Sequence, residues 1–477
     1  MEVMRHPATL PMHRVNNVFF IGIGGVGMSG IAEVMLNLGF NIFGSDQSSN
    51  IATQRLQALG AKIYSEHNQC HIKNIDVVIV SSAIDDSNVE LQAALKLRIP
   101  IVRRAEMLAE LMRFKQGIAV AGTHGKTTTT SLVAAVMAQG GLDPTFIVGG
   151  RVNSIDSHSK LGSSEYLVAE ADESDASFLH LQPLVAVITN IDADHLGAYE
   201  NDFGKLRAAF IEFLHNLPFY GLAVLCIDDE IIRDILAEVS RPYVTYGLSE
   251  DADIHALNIQ HQQAITRFDV RIKGETEQQT YQLNLPGKHN VLNALASIAV
   301  GLEFKIEHKD MQSALQEFAG IGRRMQSLGQ ISFAGDHIQF IDDYAHHPRE
   351  IAASIDALRQ GWPERRILLV FQPHRYSRTH DLLDDFVNVL LEADVLLLMQ
   401  VYSAGEEAIN NADSRALAQA LRLRGKLDTV LIDDDKSLAQ SLQSIMQAGD
   451  MVLTLGAGSI GKISQQTFSQ LNAWEGE

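Results

Sequence analysis

The sequence predicts an α/β protein of three domains, and three observations support this fold class. Short apolar runs alternate with helical patterns from Val18 to about Glu110, which is typical of a parallel sheet with crossover helices. The alternation starts again at Gly117, and a third block of the same kind begins at about Gln326. We therefore predict three domains, at residues 1–110, 111–325 and 326–477.

The first block has the segment order of a Rossmann-like domain, with strands predicted at 18–23, 41–44 and 76–81 and helices at 29–38, 53–59 and 91–97. Gly22, Gly24 and Gly27 follow the first strand and match the dinucleotide-binding pattern G-x-G-x-x-G, and Asp46 lies near the expected offset. Taken alone, this pattern predicts a nicotinamide-dependent oxidoreductase. We keep that activity as an alternative hypothesis.

The second block opens with a strand at 117–121, a turn at 122–126 and a helix at 127–139 that Gly140 ends. Residues 122–127 read G-x-x-G-K-T, a shortened Walker A loop. Backbone N–H groups and the helix N-terminus can bind phosphate, Lys126 supplies a cation, and the Thr127 hydroxyl can bind Mg²⁺. The sequence therefore predicts a P-loop ATPase, and the alternative is an ordinary strand-to-helix turn.

Two later strands of this block, at 166–169 and 185–189, run directly into the polar segments 170–175 and 190–195. Ligands of open α/β sheets collect at such carboxyl ends of strands. Residues then alternate one by one between polar and apolar at 266–272 and 279–285, which predicts a small flanking sheet of antiparallel strands.

The last block predicts a second Rossmann-like domain, with strands at 338–341, 367–371, 395–400, 429–432 and 451–455. Pro348 suits the first turn of one of its helices. The block contains a second G-x-G-x-x-G match at Gly456–Gly461, which we interpret as a tight turn, with phosphate binding as the alternative.

The composition limits the partners of the chain. The 38 basic and 58 acidic residues among 477 give a formal charge of -20, which repels polyanions, so we expect no nucleic-acid partner.

The only two cysteines, Cys70 and Cys226, are far apart, which predicts neither a disulfide framework nor a thiolate zinc site and fits a reducing cytoplasm. Apolar runs such as 395–399 are too short to span a bilayer, and residues 1–17 lack an export signal and are expected to form a flexible end.

Seven motifs together resemble the Mur ligase family over nearly the whole chain. They are GTHGKT at 122–127, EADESDASF at 170–178, TNIDADH at 189–195, GIGGVGMSGIA at 22–32, GKHNVLN at 287–293, DDYAHHP at 342–348 and QPHRYSR at 372–378. The resemblance implies ATP-dependent ligation of L-alanine to the lactyl carboxylate of UDP-N-acetylmuramate, through an acyl phosphate, for peptidoglycan synthesis. A family member that recycles a whole tripeptide is the nearest alternative, and a nucleotide-binding regulatory module without turnover is another.

The resemblance also implies a role for each domain: UDP-sugar binding for the first, ATP binding for the second and amino-acid binding for the third. The expected cofactors are ATP and two Mg²⁺ ions, which Mn²⁺ can replace. UDP-sugar contacts are expected at Gly22, Gly24, Gly25, Gly27, Met28, Ser29 and Asp46, and amino-acid contacts at Tyr344, His346, Arg375 and Arg378. ATP contacts are expected at Gly122, Thr123, His124, Gly125, Lys126, Thr127, Thr128, Asn290, Asn293 and Arg324.

The expected catalytic residues are Lys126, Glu170, His195, His346 and Arg375, and the expected metal ligands are Thr127, Glu170 and His195. Several of the expected site residues also have an alternative, purely structural role. His195 can instead stabilise its loop, because Mg²⁺ prefers oxygen ligands. Asp46 can cap a turn, Asn290 can cap a helix, Asn293 can be a structural amide, and Arg323 and Arg324 can form an interdomain salt bridge.

One position departs from the family pattern. Many relatives carry a carbamate-modified lysine on the helix after the Asp-His segment, and the position that aligns with it here is Phe210. We therefore expect the carbamate to be absent. A zinc site at His346 and His347 is not expected either, because no cysteine or H-E-x-x-H spacing accompanies them. The oligomeric state is expected to be a monomer or a weak homodimer.

Overall fold

The computed structural model describes residue 12 and residues 14–81, 83–153, 157–425 and 427–473, so most of the predicted flexible end lies outside the described residues. These residues form three sheets with helices between the strands. Contacts divide the chain into two compact units. One contains the chain up to Leu257 with Asp269–Tyr281 and Leu292–Phe318, and the other contains Asn258–Phe268, Gln282–Val291 and the chain from Ala319.

The first sheet has five parallel strands in the order β3-β2-β1-β4-β5, as expected for a Rossmann-like domain. Its strands are β1 Asn17–Ile21, β2 Asn41–Ser45, β3 Lys62–Tyr64, β4 Val77–Val80 and β5 Ile101–Arg103. Its helices are α1 Val26–Asn37, α2 Ile51–Ala58, α3 Val89–Leu97 and α4 Arg104–Arg113. The three predicted strands are confirmed, whereas β3 and β5 are too short, at three residues each, to give a periodic signal.

The second sheet has ten strands in the order β15-β14-β13-β12-β11-β10-β6-β9-β7-β8. They are β6 Gln116–Ala121, β7 Thr145–Val152, β8 Ser157–Lys160, β9 Tyr166–Glu170, β10 Val185–Ile188, β11 Leu222–Cys226, β12 Tyr243–Gly247, β13 Ile254–Gln262, β14 Ile265–Ile272 and β15 Gln279–Leu283. The helices of this segment are α5 Lys126–Gln139, α6 Phe203–His215, α7 Glu230–Ile235, α8 Lys288–Glu303 and α9 His308–Gln316. The strands predicted at 266–272 and 279–285 are confirmed, but they extend this sheet at one edge instead of forming a separate flanking sheet.

The third sheet has six strands in the order β16-β17-β21-β18-β19-β20, and only the β16–β17 pair is antiparallel. Its strands are β16 Gln326–Phe333, β17 Asp336–Asp343, β18 Ile367–Phe371, β19 Val395–Met399, β20 Asp428–Ile432 and β21 Met451–Leu455. Its helices are α10 Pro348–Gly361, α11 Tyr376–Asp381, α12 Leu383–Leu390, α13 Ser414–Arg424, α14 Leu438–Ile445 and α15 Ile460–Asn472. Pro348 occupies the first turn of α10, as predicted.

Alternate residues of the central strands are buried on opposite faces of the third sheet. Ile367, Leu369 and Phe371 belong to one apolar cluster, and Leu368 and Val370 belong to another. This burial on both faces explains why the strands read as continuous apolar runs. Among the described residues, no helix is long and apolar enough to cross a bilayer.

Candidate active site

The predicted phosphate-binding loop is the turn between β6 and α5. Gly122 and Gly125 have φ angles of +125° and +81°, in the region that favours glycine. A Cβ at Gly122 would lie 2.1 Å from Oγ1 of Thr189, and a Cβ at Gly125 would lie 2.7 Å from Oδ1 of Asn293. Both glycines are therefore required by conformation and by space.

The segment after β10 holds this loop in place. The side-chain amide of Asn190 accepts a hydrogen bond from the His124 backbone N–H at 2.9 Å and donates one to the His124 carbonyl at 3.0 Å. The Thr189 hydroxyl donates to the same carbonyl at 2.6 Å, and the Asp192 N–H donates to Oγ1 of Thr123 at 2.8 Å. The sequence analysis missed this role of Asn190, although the residue stands at the carboxyl end of the strand adjacent to β6.

Lys126 begins α5 and folds back over the loop. Its ammonium donates to the carbonyls of Gly122 at 2.6 Å and Thr123 at 3.1 Å and to Oε2 of Glu173 at 2.7 Å. Burial alone would lower the pKa of Lys126, but the charges of Glu173, Asp172 and Glu170 raise it above its usual value. The lysine therefore stays charged, as a phosphate ligand must.

Acidic groups surround this lysine at the carboxyl end of β9. Glu173 is almost fully buried, and burial raises its pKa, although the Lys126 charge opposes the shift. Burial also works to raise the pKa of Asp172, but the charge of Lys126 and hydrogen bonds from Ser174 bring it below the usual value. Glu170, the last residue of β9, accepts a hydrogen bond from the Gly149 N–H at 2.6 Å. Carboxylates beside a phosphate loop are the ligands that Mg²⁺ prefers.

The other two predicted metal ligands differ in their surroundings. Thr127 is buried in the first turn of α5. His195 has a left-handed backbone with φ of +56°, its N–H donates to Oδ1 of Asp194 at 2.8 Å, and its Nε2 lies 3.5 Å from Oδ2 of Asp194. This geometry is compatible with the loop-stabilising alternative, and the metal role of His195 stays a prediction.

Phe210 lies in an aromatic core and not on a polar surface. The residue is fully buried on α6, and its ring centroid is 5.2 Å from that of Phe178, which also contacts Phe213 at 5.0 Å. Phe210 is thus part of the apolar packing of this segment.

The two predicted adenine contacts have different partners. Asn293 accepts a hydrogen bond from the Thr129 hydroxyl of α5 at 3.0 Å, which places its amide beside the phosphate loop. Asn290 is the third residue of α8, so it does not cap this helix, and its amide donates to the Pro286 carbonyl at 2.7 Å. Adenine contacts from either residue stay predictions.

The first glycine loop is fastened by Asp46. Oδ2 of Asp46 accepts from the Gly24 N–H at 2.8 Å, and its Oδ1 accepts from the Ser48 N–H at 2.9 Å. Asp46 therefore caps a turn, as the alternative interpretation proposed. Next to this loop lies a cleft of about 570 Å³, lined by Gly22, Gly24, Gly25, Asp46, Asn50, His67 and Ser81 among others. Gly27, Met28 and Ser29 are outside this lining, and the last two are buried within α1.

The residues predicted to bind the amino acid all lie in the second compact unit. There the guanidinium groups of Arg323 and Arg324 lie 5.0 and 5.3 Å from the ring centroid of Tyr344. His346 lies 5.5 Å from Tyr344 and 5.8 Å from His374, measured between ring centroids. Burial lowers the pKa of both histidines to about 4, so both are neutral at physiological pH.

Arg375 stands in the same group of residues. Its guanidinium is half-exposed and lies 3.6 Å from Oε1 of Glu406, which also accepts hydrogen bonds from Ser377. His374 stacks on Tyr402 at 5.5 Å with 12° between the rings. The sequence analysis missed Tyr402 and Glu406, because both come from a distant loop after β19. Arg378 lies on α11.

Side chains from other segments bind the loop at Gly456–Gly461. Ile460 donates its N–H to Oε1 of Gln372 at 3.0 Å, and Nε2 of Gln372 donates to the Ser459 hydroxyl at 3.0 Å. A Cβ at Gly461 would lie 2.3 Å from Nε of Arg323, which also donates to Asp342 at 3.1 Å. Protein groups thus use the donor of Ile460 and the space at Gly461, which fits the interpretation as a tight turn.

Comparison with known proteins identifies the family. The Mur ligase family catalytic domain matches residues 17–116, the Mur ligase middle domain matches 120–301, and the Mur ligase glutamate ligase domain matches 323–458. A UDP-N-acetylmuramate–L-alanine ligase from Methylococcus capsulatus is 54% identical over 467 residues, which are 98% of this chain and 99% of that protein. The chain belongs to the Mur ligase family.

Solved Mur ligases have the same three-domain α/β architecture. The crystal structure of the UDP-N-acetylmuramate–alanine ligase of Thermotoga maritima superposes with a TM-score of 0.80 at 29% identity and covers 95% of this chain and 98% of that chain. A murein peptide ligase from Psychrobacter arcticus gives a TM-score of 0.71 at 24% identity over 97% of this chain and 100% of that one, which supports the fold alone. The three-domain prediction is confirmed, whereas its boundaries at 110 and 325 stay predictions.

Membership makes the protein an ATP-using ligase and does not favour the oxidoreductase alternative. The assignment of the loop at 122–127 to ATP and of the glycines at 22–27 to a UDP-sugar stays a prediction. The features that sequence reasoning missed are Asn190, Glu173 as the partner of Lys126, and the Tyr402 and Glu406 side chains. A polar residue at the carboxyl end of a strand was the available signal for Asn190.

Proposed function

We propose that this protein joins L-alanine to the lactyl carboxylate of UDP-N-acetylmuramate, with hydrolysis of ATP to ADP and phosphate, in peptidoglycan precursor synthesis. The observation that carries the proposal is the 54% identity, over 98% of the chain, to a protein of that name. The phosphate loop and the neutral His346 beside Tyr344 supply the chemistry that such a reaction needs.

A carboxylate is a poor electrophile, and its oxygen is a poor leaving group, so amide formation in water requires activation. In the proposed reaction the lactyl carboxylate attacks the γ-phosphate of ATP and forms an acyl phosphate. The amine of alanine then attacks the acyl carbon, and phosphate leaves. Negative oxygens meet in the first step, so cations must lie between them.

The residues around the loop fit ATP and a divalent cation. The positive φ angles at Gly122 and Gly125 fit a phosphate-binding loop, and Lys126 is held charged within it. Thr127, Glu170 and His195 would hold Mg²⁺, which would supply positive charge to neutralise the reacting oxygens. Three acids near one lysine give the local negative charge that attracts such an ion.

We propose that His346 and Arg375 bind the amino-acid substrate. The half-exposed guanidinium of Arg375 can form paired hydrogen bonds to the carboxylate of alanine. The neutral His346 offers a ring nitrogen that can accept a hydrogen bond from the amine of the same ligand. Tyr344 and Arg378 are proposed to complete this site.

The test is release of ADP with UDP-N-acetylmuramate and each amino acid in turn, compared with the tripeptide L-alanyl-γ-D-glutamyl-meso-diaminopimelate. We expect release with L-alanine and little with the tripeptide. Preference for the tripeptide would indicate the recycling ligase, and ADP release without any acceptor dependence would contradict both. The substrates imply a cytoplasmic location, and we propose a monomer or weak homodimer, which sedimentation at several concentrations would check.

A further inference from the structure

The side-chain amide of Asn190 binds both backbone groups of His124, in the middle of the loop at 122–127. Its Oδ1 accepts from the His124 N–H at 2.9 Å, and its Nδ2 donates to the His124 carbonyl at 3.0 Å. Because the oxygen and the nitrogen of an amide stand in a fixed relation, the two bonds together fix the orientation of the residue they bind. The backbone carbonyl of Asn190 also accepts from the Thr123 N–H at 3.1 Å. Asn190 therefore holds two consecutive residues of the loop.

These bonds determine which N–H groups of the loop are available to a ligand. The N–H groups of Thr123 and His124 are already bonded to the two oxygens of Asn190. The N–H groups of residues 125–128 have no hydrogen-bond acceptor within the described part of the chain. They stand at the start of α5, where the first N–H groups of a helix have no partner inside the helix. Among residues 123–128, only this second group of donors remains for an anion.

The loop is also shorter than a Walker A loop. Four residues separate the first glycine from the Gly-Lys pair in the Walker pattern, whereas only Thr123 and His124 separate them here. A longer loop can turn its own N–H groups around a phosphate. In this chain both intervening residues bond to Asn190, at the end of the adjacent strand β10. Contacts from outside the loop thus replace the residues that the loop lacks.

We propose that Asn190 is a positioning residue for the phosphates of ATP. By binding Thr123 and His124, it orders the loop before the nucleotide arrives, so that less conformational entropy is lost when the N–H groups of residues 125–128 bind phosphate. Asn190 acts through the loop and does not itself touch the nucleotide. This inference rests on the proposed function, because it takes the loop at 122–127 to bind ATP.

The first test measures calorimetric binding of AMP and ADP, without Mg²⁺, to the protein and to two variants. AMP lacks the β-phosphate, so the comparison isolates the contribution of that group. Asn190→Ala removes the amide from the loop. Asn216→Ala is the matched control, because Asn216 is also partly buried and its amide donates to carbonyls outside the loop, those of Leu179 at 2.9 Å and Leu181 at 3.4 Å.

We expect Asn190→Ala to bind ADP at least about tenfold more weakly than the parent protein does, and to change the affinity for AMP by less than about twofold. Asn216→Ala should bind both nucleotides as the parent does. Both variants should keep the affinity for UDP-N-acetylmuramate. An asparagine that only stabilises the fold would not change the affinity for one phosphate group selectively.

Hydrogen exchange tests the same claim on the unmodified protein. The N–H groups of Thr123 and His124 should exchange slowly without nucleotide and change little when ADP binds, because Asn190 already holds them. The N–H groups of residues 125–128 should exchange more slowly once ADP is bound. Mass spectrometry with fragmentation to single residues measures both. Protection of Thr123 and His124 that arises only with ADP would overturn the proposal.

The outcomes separate the two proposals. Failure of the unmodified protein to bind ADP or ATP contradicts the proposed function itself. Equal ADP affinity of Asn190→Ala and the parent overturns the positioning role and leaves the proposed function standing. The role is overturned as well by an equal loss for AMP and ADP, or by an equal loss in Asn216→Ala, because either result indicates a general effect on the fold. If Asn190→Ala does not fold, hydrogen exchange on the unmodified protein still decides.

Discussion

Nζ of Lys126 lies 2.7 Å from Oε2 of Glu173, and both groups are largely removed from water. The same ammonium binds two carbonyls of its own loop, so all three of its protons have protein acceptors. The other oxygen of Glu173 is buried and has no hydrogen-bond partner among the described residues. Nucleotide phosphates would therefore compete with Glu173 for the lysine.

We expect Lys126→Ala to abolish turnover and to leave UDP-sugar binding largely intact, because Lys126 belongs to the ATP loop and the glycine loop at 22–27 belongs to a different sheet. Steady-state ADP release and calorimetric UDP-N-acetylmuramate binding measure the two effects. The control is Lys309→Ala, an exposed lysine at the start of α9. Parallel loss of both properties in Lys126→Ala would contradict this division of roles.

Glu173→Gln should destabilise the nucleotide-free protein by about 3 kcal/mol, because it leaves the Lys126 charge in a buried place without its counter-ion. ATP with Mg²⁺ should restore part of this loss, since phosphate charges then replace the carboxylate. Urea unfolding with and without nucleotide measures both values, and the exposed Glu165→Gln is the control. Equal stability of Glu173→Gln and the parent protein without nucleotide would disprove the counter-ion role.

Alanine substitutions at two glycines with positive φ separate the effect of backbone strain from that of a steric clash. Gly122→Ala puts a Cβ 2.1 Å from Oγ1 of Thr189, whereas Gly141, with φ of +79°, has open space around its Cβ position. We expect Gly141→Ala to cost about 1 kcal/mol of stability and to keep activity, because only the backbone is strained. Gly122→Ala should lose at least about tenfold in ATP affinity. Similar ATP affinities for the two variants would show that the close contact at Gly122 does not shape the loop.

The neutral His346 predicts a pH dependence of stability. Burial lowers its pKa in the folded protein to about 4, below the unfolded value near 6.5. Between these values the unfolded chain binds more protons, so stability is complete above pH 6.5 and falls as the pH falls toward 4. From pH 7 to pH 5 His346 should account for a loss of about 2 kcal/mol.

Urea unfolding at these two pH values, with the parent protein and His346→Gln, measures this contribution. The loss between pH 7 and pH 5 should be smaller in His346→Gln, while the exposed His337→Gln should match the parent. His374 contributes in the same direction and remains in both proteins, and because the charge of His346 also lowers the pKa of His374, the difference measures His346 together with this coupling. An identical pH dependence in His346→Gln and the parent would contradict the assignment.

The sequence was sufficient for the parts of the fold and site that depend on neighbours along the chain. The strand before Gly122, the helix from Lys126 and the proline that begins α10 all carry local signals. Contacts between distant segments carry none: the bonds of Asn190 to the loop at His124, the pair of Lys126 with Glu173, and the stacking of Tyr402 on His374 depend on the sheet order. Likewise, β14 and β15 alternate as predicted, but alternation does not reveal which sheet a strand joins.

The most direct test of the central claim, that the lactyl carboxylate is activated as an acyl phosphate, uses UDP-N-acetylmuramate labelled with ¹⁸O in that carboxylate. Turnover with ATP and L-alanine should transfer one labelled oxygen to each released phosphate, detected by mass spectrometry. Alanine-dependent product formation with unlabelled phosphate would contradict the account, because the carboxylate oxygen would then never have bonded to phosphorus.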